Sequence, residues 1–108
     1  MTARGPQPTA ESVTVVIPVK DDADGLRRCL RALALQTRRP DEIVVVDNAS
    51  SDASADVARE NGTRVISCVQ PGIPAAAAAG YDSAKGDLIL RLDADCIPAA
   101  TWVEVMSA

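Results

Sequence analysis

Apolar residues follow two rhythms along this chain. Continuous runs rich in β-branched residues, Val13–Ile17 (VTVVI) and Glu42–Val46 (EIVVV), are bounded by Pro18 and by Asp47–Asn48. Such runs mark strands buried on both faces of a parallel sheet. Between them Leu26, Cys29, Leu30 and Leu33 recur every three or four positions, which gathers them on one face of a helix reaching to Gln36. Asp21 or Asp22 is placed to cap its first turn, and Pro40 separates it from the second strand.

The same alternation continues. Ser50–Ser51–Asp52 offers a cap for a second helix around Val57 and Ala58, and Asn61–Gly62 ends it in left-handed fashion. A third strand is predicted over Arg64–Val69. Pro71–Gly72 breaks the chain, Pro74 suits the first turn of a helix, and Ala75–Ala79 extend that helix toward Lys85, with Gly86 as its stop. Asp87–Leu92 reads as a fourth strand ending at Asp93–Ala94–Asp95. Strands alternating with helices predict an α/β domain over residues 13–108, with about four parallel strands and helices on both faces. Residues 1–12, which hold Pro6 and Pro8 but no apolar run, are expected to form a loose tail. In sheets of this kind ligands bind beyond the carboxyl ends of the strands, where strand order reverses. The informative segments are therefore 18–22, 47–51, 70–74 and 93–96.

Charge narrows the choice of ligand. Eleven Lys and Arg stand against fifteen Asp and Glu, a net charge of −4, so a nucleic-acid backbone is an unfavourable partner. A phosphorylated small molecule would need a divalent cation to reconcile it with an acidic protein. Cys29, Cys68 and Cys96 are odd in number and widely spaced, which fits neither a disulfide framework nor a zinc knuckle and suggests a reducing, cytoplasmic setting.

Asp93 and Asp95 supply a place for such a cation. Two positions apart at the end of an extended segment, their carboxylates are expected on one side with Ala94 on the other. Hard oxygen donors of this kind suit Mn²⁺ or Mg²⁺. Taken alone, the pair could equally be two solvated loop aspartates.

The runs VTVVIPVKDDADGLRRCLRALALQT, DEIVVVDNASSDAS and PGIPAAAAAGYDSAKGDLILRLDADC together resemble, in order and spacing, the donor-binding half of family 2 glycosyltransferases from Val13 to about Trp102. The resemblance implies a Rossmann-like sheet of the GT-A type, truncated here. It also implies a nucleoside diphosphate sugar (UDP- or GDP-linked) as ligand, with a glycan, lipid or small molecule as acceptor and inversion at the anomeric centre. Pro18, Val19 and Lys20 match the loop that embraces the nucleoside, which in relatives often carries an aromatic residue where Lys20 stands, and Asp22 is counted with them among the nucleotide-sugar-binding residues. Asp47 matches the first Asp of the base-binding pair, and Asn48 stands where many relatives have the second. Asp93 corresponds to the carboxylate near ribose and metal, and Asp95 to the one that coordinates the cation. At Ala77–Ala78 relatives commonly have Arg-Asn, so a diphosphate contact is missing, and Lys20 and Arg91 are candidates to replace it. The acceptor half and the general base are expected beyond Ala108. The chain alone is accordingly expected to lack efficient transfer, and the longer protein could be membrane-associated.

Blander readings stand beside these. Asp47 could serve only as a turn residue, Lys20 as a solvated loop lysine, and Arg91 as a strand-edge residue. The alanines of the third helix are expected to permit close packing on the sheet. Without any His to activate it, Cys96 is expected to be a small buried filler, and Trp102 a core anchor. A non-catalytic nucleotide-binding or interaction module is the main alternative function, and an exposed surface after Trp102 invites homo-oligomers. A nucleotidyltransferase would want a Gly-rich phosphate loop near the first strand. A phospho-receiver domain would want an Asp where this chain has Gln70.

Overall fold

The computed structural model describes residues 11–108, so the predicted tail lies almost wholly outside the described residues. The elements are β1 (Val13–Val19), α1 (Ala23–Ala34), β2 (Glu42–Asp47), α2 (Ser54–Glu60), β3 (Arg64–Ser67), α3 (Ile73–Ser83), β4 (Leu88–Arg91) and α4 (Trp102–Met106). The four strands pair in the order β3-β2-β1-β4, all parallel. The expected α/β architecture with helices on both faces is what the chain adopts.

Period-two alternation divides the core into two layers. Val13, Val15, Ile17 and Val19 of β1 join Val45 and Leu90 beneath Leu26, Cys29, Leu30 and Leu33 of α1, Val57 of α2 and Val103 of α4. Val16, Val44 and Val46 face the other way and meet Ala76 of α3. The chain steps outward from β1 to β2 to β3, then returns through α3 to lay β4 on the free side of β1. Because parallel crossovers are right-handed, that reversal moves α3 to the opposite face. The break in direction falls between β1 and β4, which makes their carboxyl ends the switch point of the sheet.

Several boundaries differ from the sequence expectation. Pro18 lies inside β1 and does not end it, since β1 pairs with β2 as far as Val19 opposite Asp47. Val16 accepts a bond from the Leu92 N–H on the β4 side. Pro18, two residues on, faces the same side, past the last β1–β4 register pair at Val16–Arg91, so its missing N–H costs no ladder bond. β3 stops at Ser67 because Cys68 and Gln70 turn their carbonyls to the Asn48 side chain. α1 ends at Ala34, two residues short of Gln36, whose side chain instead holds Ala99 and Val103. Asp22 caps α1, accepting from the Gly25 N–H at 3.1 Å. Gly62 (φ 72°) follows α2 and Gly72 (φ 103°) precedes α3, both in backbone territory that favours glycine.

Candidate functional site

The carboxyl ends of β1 and β4 border a cleft of about 350 Å³ lined by Pro18, Val19, Lys20, Asp22, Ile73, Arg91, Asp93, Ala94 and Asp95. A second hollow of about 280 Å³, lined by Asn48, Ala49, Val69, Pro71 and Gly72, adjoins it through Lys20 and Ile73, which border both. Of the residues singled out from the sequence, Pro18, Val19, Lys20, Asp22, Asp93 and Asp95 meet in the first cavity and Asn48 borders the second. Asp47 lines neither. Its Oδ1 accepts from the Ser50 N–H at 3.1 Å, the turn role foreseen as its alternative.

The two aspartates come together by a route other than strand extension. β4 ends at Arg91, and Asp93–Cys96 form a turn closed by the Cys96 N–H on the Asp93 carbonyl at 3.0 Å. Ala94 turns inward and is buried, while Asp93, Asp95 and Cys96 are exposed, with one ligand atom from each lying within 4.8 Å of the others. The expected same-side presentation therefore holds, but a turn produces it. Cys96 is not the buried filler expected, because the turn that buries Ala94 leaves the next two side chains outside. The same Asp93 carbonyl also accepts from the Cys29 thiol of α1 at 3.9 Å. Burial pushes that thiol up to about 12, with smaller contributions from the neighbouring Cys96 and Asp95, so it stays protonated and keeps its donor.

Opposite this turn, two loops are laced together. The Asp21 N–H donates to Ser50 Oγ at 2.9 Å, and Asp21 Oδ1 accepts from the Ser51 N–H at 2.6 Å and the Asp52 N–H at 3.3 Å. These bonds, the Ser51 N–H first, hold the Asp21 carboxyl below its ordinary range. Lys20 Nζ donates to the Ala49 carbonyl at 2.7 Å and stands 4.0 Å from Asp21 Oδ2. Asn48 is only 4% exposed. Both its amide hydrogens are occupied, by Cys68 O at 2.9 Å and Gln70 O at 2.8 Å. With two carbonyls fixing the nitrogen, the Oδ1 position is also fixed, and it accepts no hydrogen bond from the described residues. A buried acceptor without a donor at the wall of a cavity is a place for a ligand N–H or O–H. The Asp21–Ser50–Ser51–Asp52 lacing and the Cys29 contact escaped sequence reading. The clustering of short polar residues at 50–52 is the available signal, and by itself it fits a helix cap equally well.

Three carboxylates (Asp22, Asp93, Asp95) and two cations (Lys20, Arg91) line the main cleft. A diphosphate brought there needs further positive charge, and the exposed oxygen donors of Asp93 and Asp95 have the hard chemistry that Mn²⁺ and Mg²⁺ prefer. The residues present thus fit such an ion.

A four-stranded parallel sheet with helices on both faces and a cleft at its switch point is an arrangement of the GT-A type. Residues 14–108 match the family model for Glycosyl transferase family 2, and the chain belongs to that family. It is 35% identical over 104 residues to the glycosyltransferase AglE of Haloferax volcanii, covering 89% of this chain and 34% of AglE. It is 39% identical over 97 residues to the undecaprenyl-phosphate 4-deoxy-4-formamido-L-arabinose transferase of Edwardsiella ictaluri, covering 81% of this chain and 30% of that enzyme. Among solved structures, glucosyl-3-phosphoglycerate synthase of Mycobacterium tuberculosis in complex with UDP superposes with a TM-score of 0.72 at 25% identity, over 82% of this chain and 35% of the synthase. The same synthase has been solved with Mn²⁺ and UDP together. The chain thus spans about a third of the length of these relatives. Among the described residues no helix is long and apolar enough to cross a membrane.

Proposed function

We propose that this domain binds a nucleoside diphosphate sugar through a divalent cation and forms the donor side of an inverting sugar transfer. The observation that carries the reading is the meeting of the β1 loop (Pro18–Asp22) and the Asp93–Asp95 turn around one cleft at the sheet's switch point. Mn²⁺ or Mg²⁺ on Asp93 and Asp95 would offset the charge that develops on the departing nucleoside diphosphate. Lys20, tethered to Ala49, adds a fixed positive charge beside Asp22. The adjoining hollow takes the base, with the free Oδ1 of Asn48 accepting from a base N–H and Val69, Pro71 and Ile73 giving apolar contact. No aromatic residue lines that hollow, so the base is held by edge contacts and aliphatic packing in place of stacking. The presence of Mn²⁺ and UDP in the mycobacterial synthase supports this choice of ligand. The acceptor in this reading is a glycan, a lipid or a small molecule.

Titration calorimetry with UDP and GDP, in Mn²⁺ and in EDTA, tests the reading. Metal-dependent binding is expected at millimolar ligand or below, weakened roughly tenfold or more in Asp95→Asn. Heat of binding that is absent, or equal with and without metal, would leave an interaction module as the better description.

A further inference from the structure

The family resemblance places an arginine on α3 where this chain has Ala77, and α3 (IPAAAAAGYDS) carries no cation at all. Ala76 and Ala77 are buried, and a Cβ added at Gly80 would stand 2.3 Å from Val16 Cγ1, so α3 lies flush on the sheet. The positive charge missing from α3 must come from elsewhere in the cleft. Lys20 and Arg91 are the cations that line it, and the Lys20 ammonium is already held by the Ala49 carbonyl at 2.7 Å. Arg91 is differently placed. It ends β4, the edge strand beside β1, and it points to the side opposite the buried Leu90. The one hydrogen bond its guanidinium makes among the described residues is to Asp93 Oδ1 at 3.4 Å, with the two side chains 42% and 59% exposed. Ion pairs so long and so wet are easily exchanged.

We propose that Arg91 is the diphosphate-binding cation of this cleft, resting on Asp93 until a metal–nucleotide complex displaces it. The inference depends on the donor-binding reading above. Asp93 and Asp95 would hold the ion, and a guanidinium freed from Asp93 would stay at the wall of the same cleft, where the oxygens of a diphosphate would be its partners. Its planar fork suits two phosphate oxygens at once. Arg91 and the metal ion therefore compete for Asp93 in the empty cleft and cooperate once the diphosphate is present.

This predicts effects of opposite sign, which a merely structural arginine would not give. Mn²⁺ binding is followed by electron paramagnetic resonance, and UDP and uridine binding in Mn²⁺ by calorimetry, for wild type, Arg91→Gln and Arg91→Lys. In R91Q, UDP is expected to bind about tenfold more weakly or worse, Mn²⁺ alone more tightly than in wild type, and uridine unchanged. R91K keeps the charge but loses the fork, and is expected to fall between R91Q and wild type for UDP. Because the side chain is half exposed, circular dichroism should show both variants folded, and R91K gives the same test with the charge retained. UDP affinity in either variant equal to wild type overturns the proposal, as does a parallel loss of Mn²⁺ alone, which would mean that Arg91 only shapes the aspartate turn. If wild type itself binds no UDP in Mn²⁺, the donor-binding reading fails first and this inference falls with it.

Discussion

Substituting Gly80 by alanine puts the closeness of α3 to the sheet to a quantitative test. Position 80 is in the last turns of a helix, where alanine is intrinsically better than glycine by about 1 kcal/mol. The structure predicts the opposite sign. The new Cβ would lie 2.3 Å from Val16 Cγ1 and 3.0 Å from Val46 Cγ2. Both valines are fully buried, in adjacent central strands. Each is β-branched and stiff about χ1, so neither methyl can swing away, and relief requires α3 to lift from the sheet. Overpacking of this kind costs about 1–3 kcal/mol. With two rigid neighbours the upper end applies, and after the helix-propensity gain a net loss of about 2 kcal/mol is expected. Urea unfolding followed by circular dichroism measures it. Combining Gly80→Ala with Val16→Ala, which removes the clashing methyl, should recover most of the clash as a coupling energy of about 1–2 kcal/mol. A Gly80→Ala protein as stable as wild type, or additivity in the double variant, would show that α3 is not seated as described. The result bears on function, because Ile73 at the start of α3 borders both cavities.

Two further outcomes follow from local chemistry. Ala49 has a left-handed backbone (φ 55°) and an exposed side chain, a conformation that costs an L-residue about 1–2 kcal/mol; Ala49→Gly should raise stability by about 0.5–1 kcal/mol after the unfolded-state entropy of glycine is subtracted, and a lower urea midpoint would refute the strain. Burial works to raise the carboxyl of Glu42, but the Lys85 N–H (3.0 Å), the Thr14 hydroxyl (2.8 Å) and Arg64 Nε (3.1 Å) outweigh it and bring it below its ordinary 4.5. A carboxyl lowered by folding stabilises the fold above its unfolded value and loses that contribution as pH falls through the folded one. Wild type should therefore exceed Glu42→Gln by about 1–2 kcal/mol near neutrality, with the gap closing below about pH 4.5. Parallel stability profiles from pH 3 to 7 would count against this role.

What the sequence disclosed and what it hid divide along a physical line. Strands and helices were legible because burial on one or both faces imposes a period that survives in the order of residues, as in VTVVI and in Leu26, Cys29, Leu30 and Leu33. The end-of-strand rule then pointed to the segments that border the cleft. Hydrogen-bond partners distant in sequence leave no such trace. Nothing in the order of residues says that the Asn48 amide spans to Cys68 and Gln70, or that Asp21 answers to Ser50 and Ser51. Cys96 was misplaced for a related reason. A strand would have turned it inward beside the aspartates, whereas the bond from its own N–H to Asp93 O makes a turn and leaves it exposed. Whether a carboxylate at a loop caps, braces or binds depends on contacts that only the fold brings about: the Asp22 carboxylate caps α1 while it lines the cleft.

One element sets the width of the cleft. Helix α1 carries Asp22 at its N-cap, where the backbone N–H of that residue donates to Ser54 Oγ at 3.2 Å and that of Ala23 to Asp52 Oδ2 at 3.0 Å. Its buried face carries Cys29, whose thiol reaches the Asp93 carbonyl. The first set of contacts fixes the loops after β1 and β2 to the start of the helix, and the second ties the Asp93–Cys96 turn to the same helix two turns later. Two residues in left-handed conformation, Asp21 (φ 50°) and Ala49 (φ 55°), sit in the loops joined by the first set. Such backbone persists only where surrounding bonds over-determine it. The two walls are therefore not independent loops free to approach a ligand separately. They are referenced to one helix packed against β1, so the two sides of the cleft are presented at a spacing fixed beforehand. Rigid presentation lowers the ordering cost of binding. The side chain at the rim with the most freedom is the exposed guanidinium of Arg91, whose one hydrogen bond among the described residues is the 3.4 Å contact to Asp93.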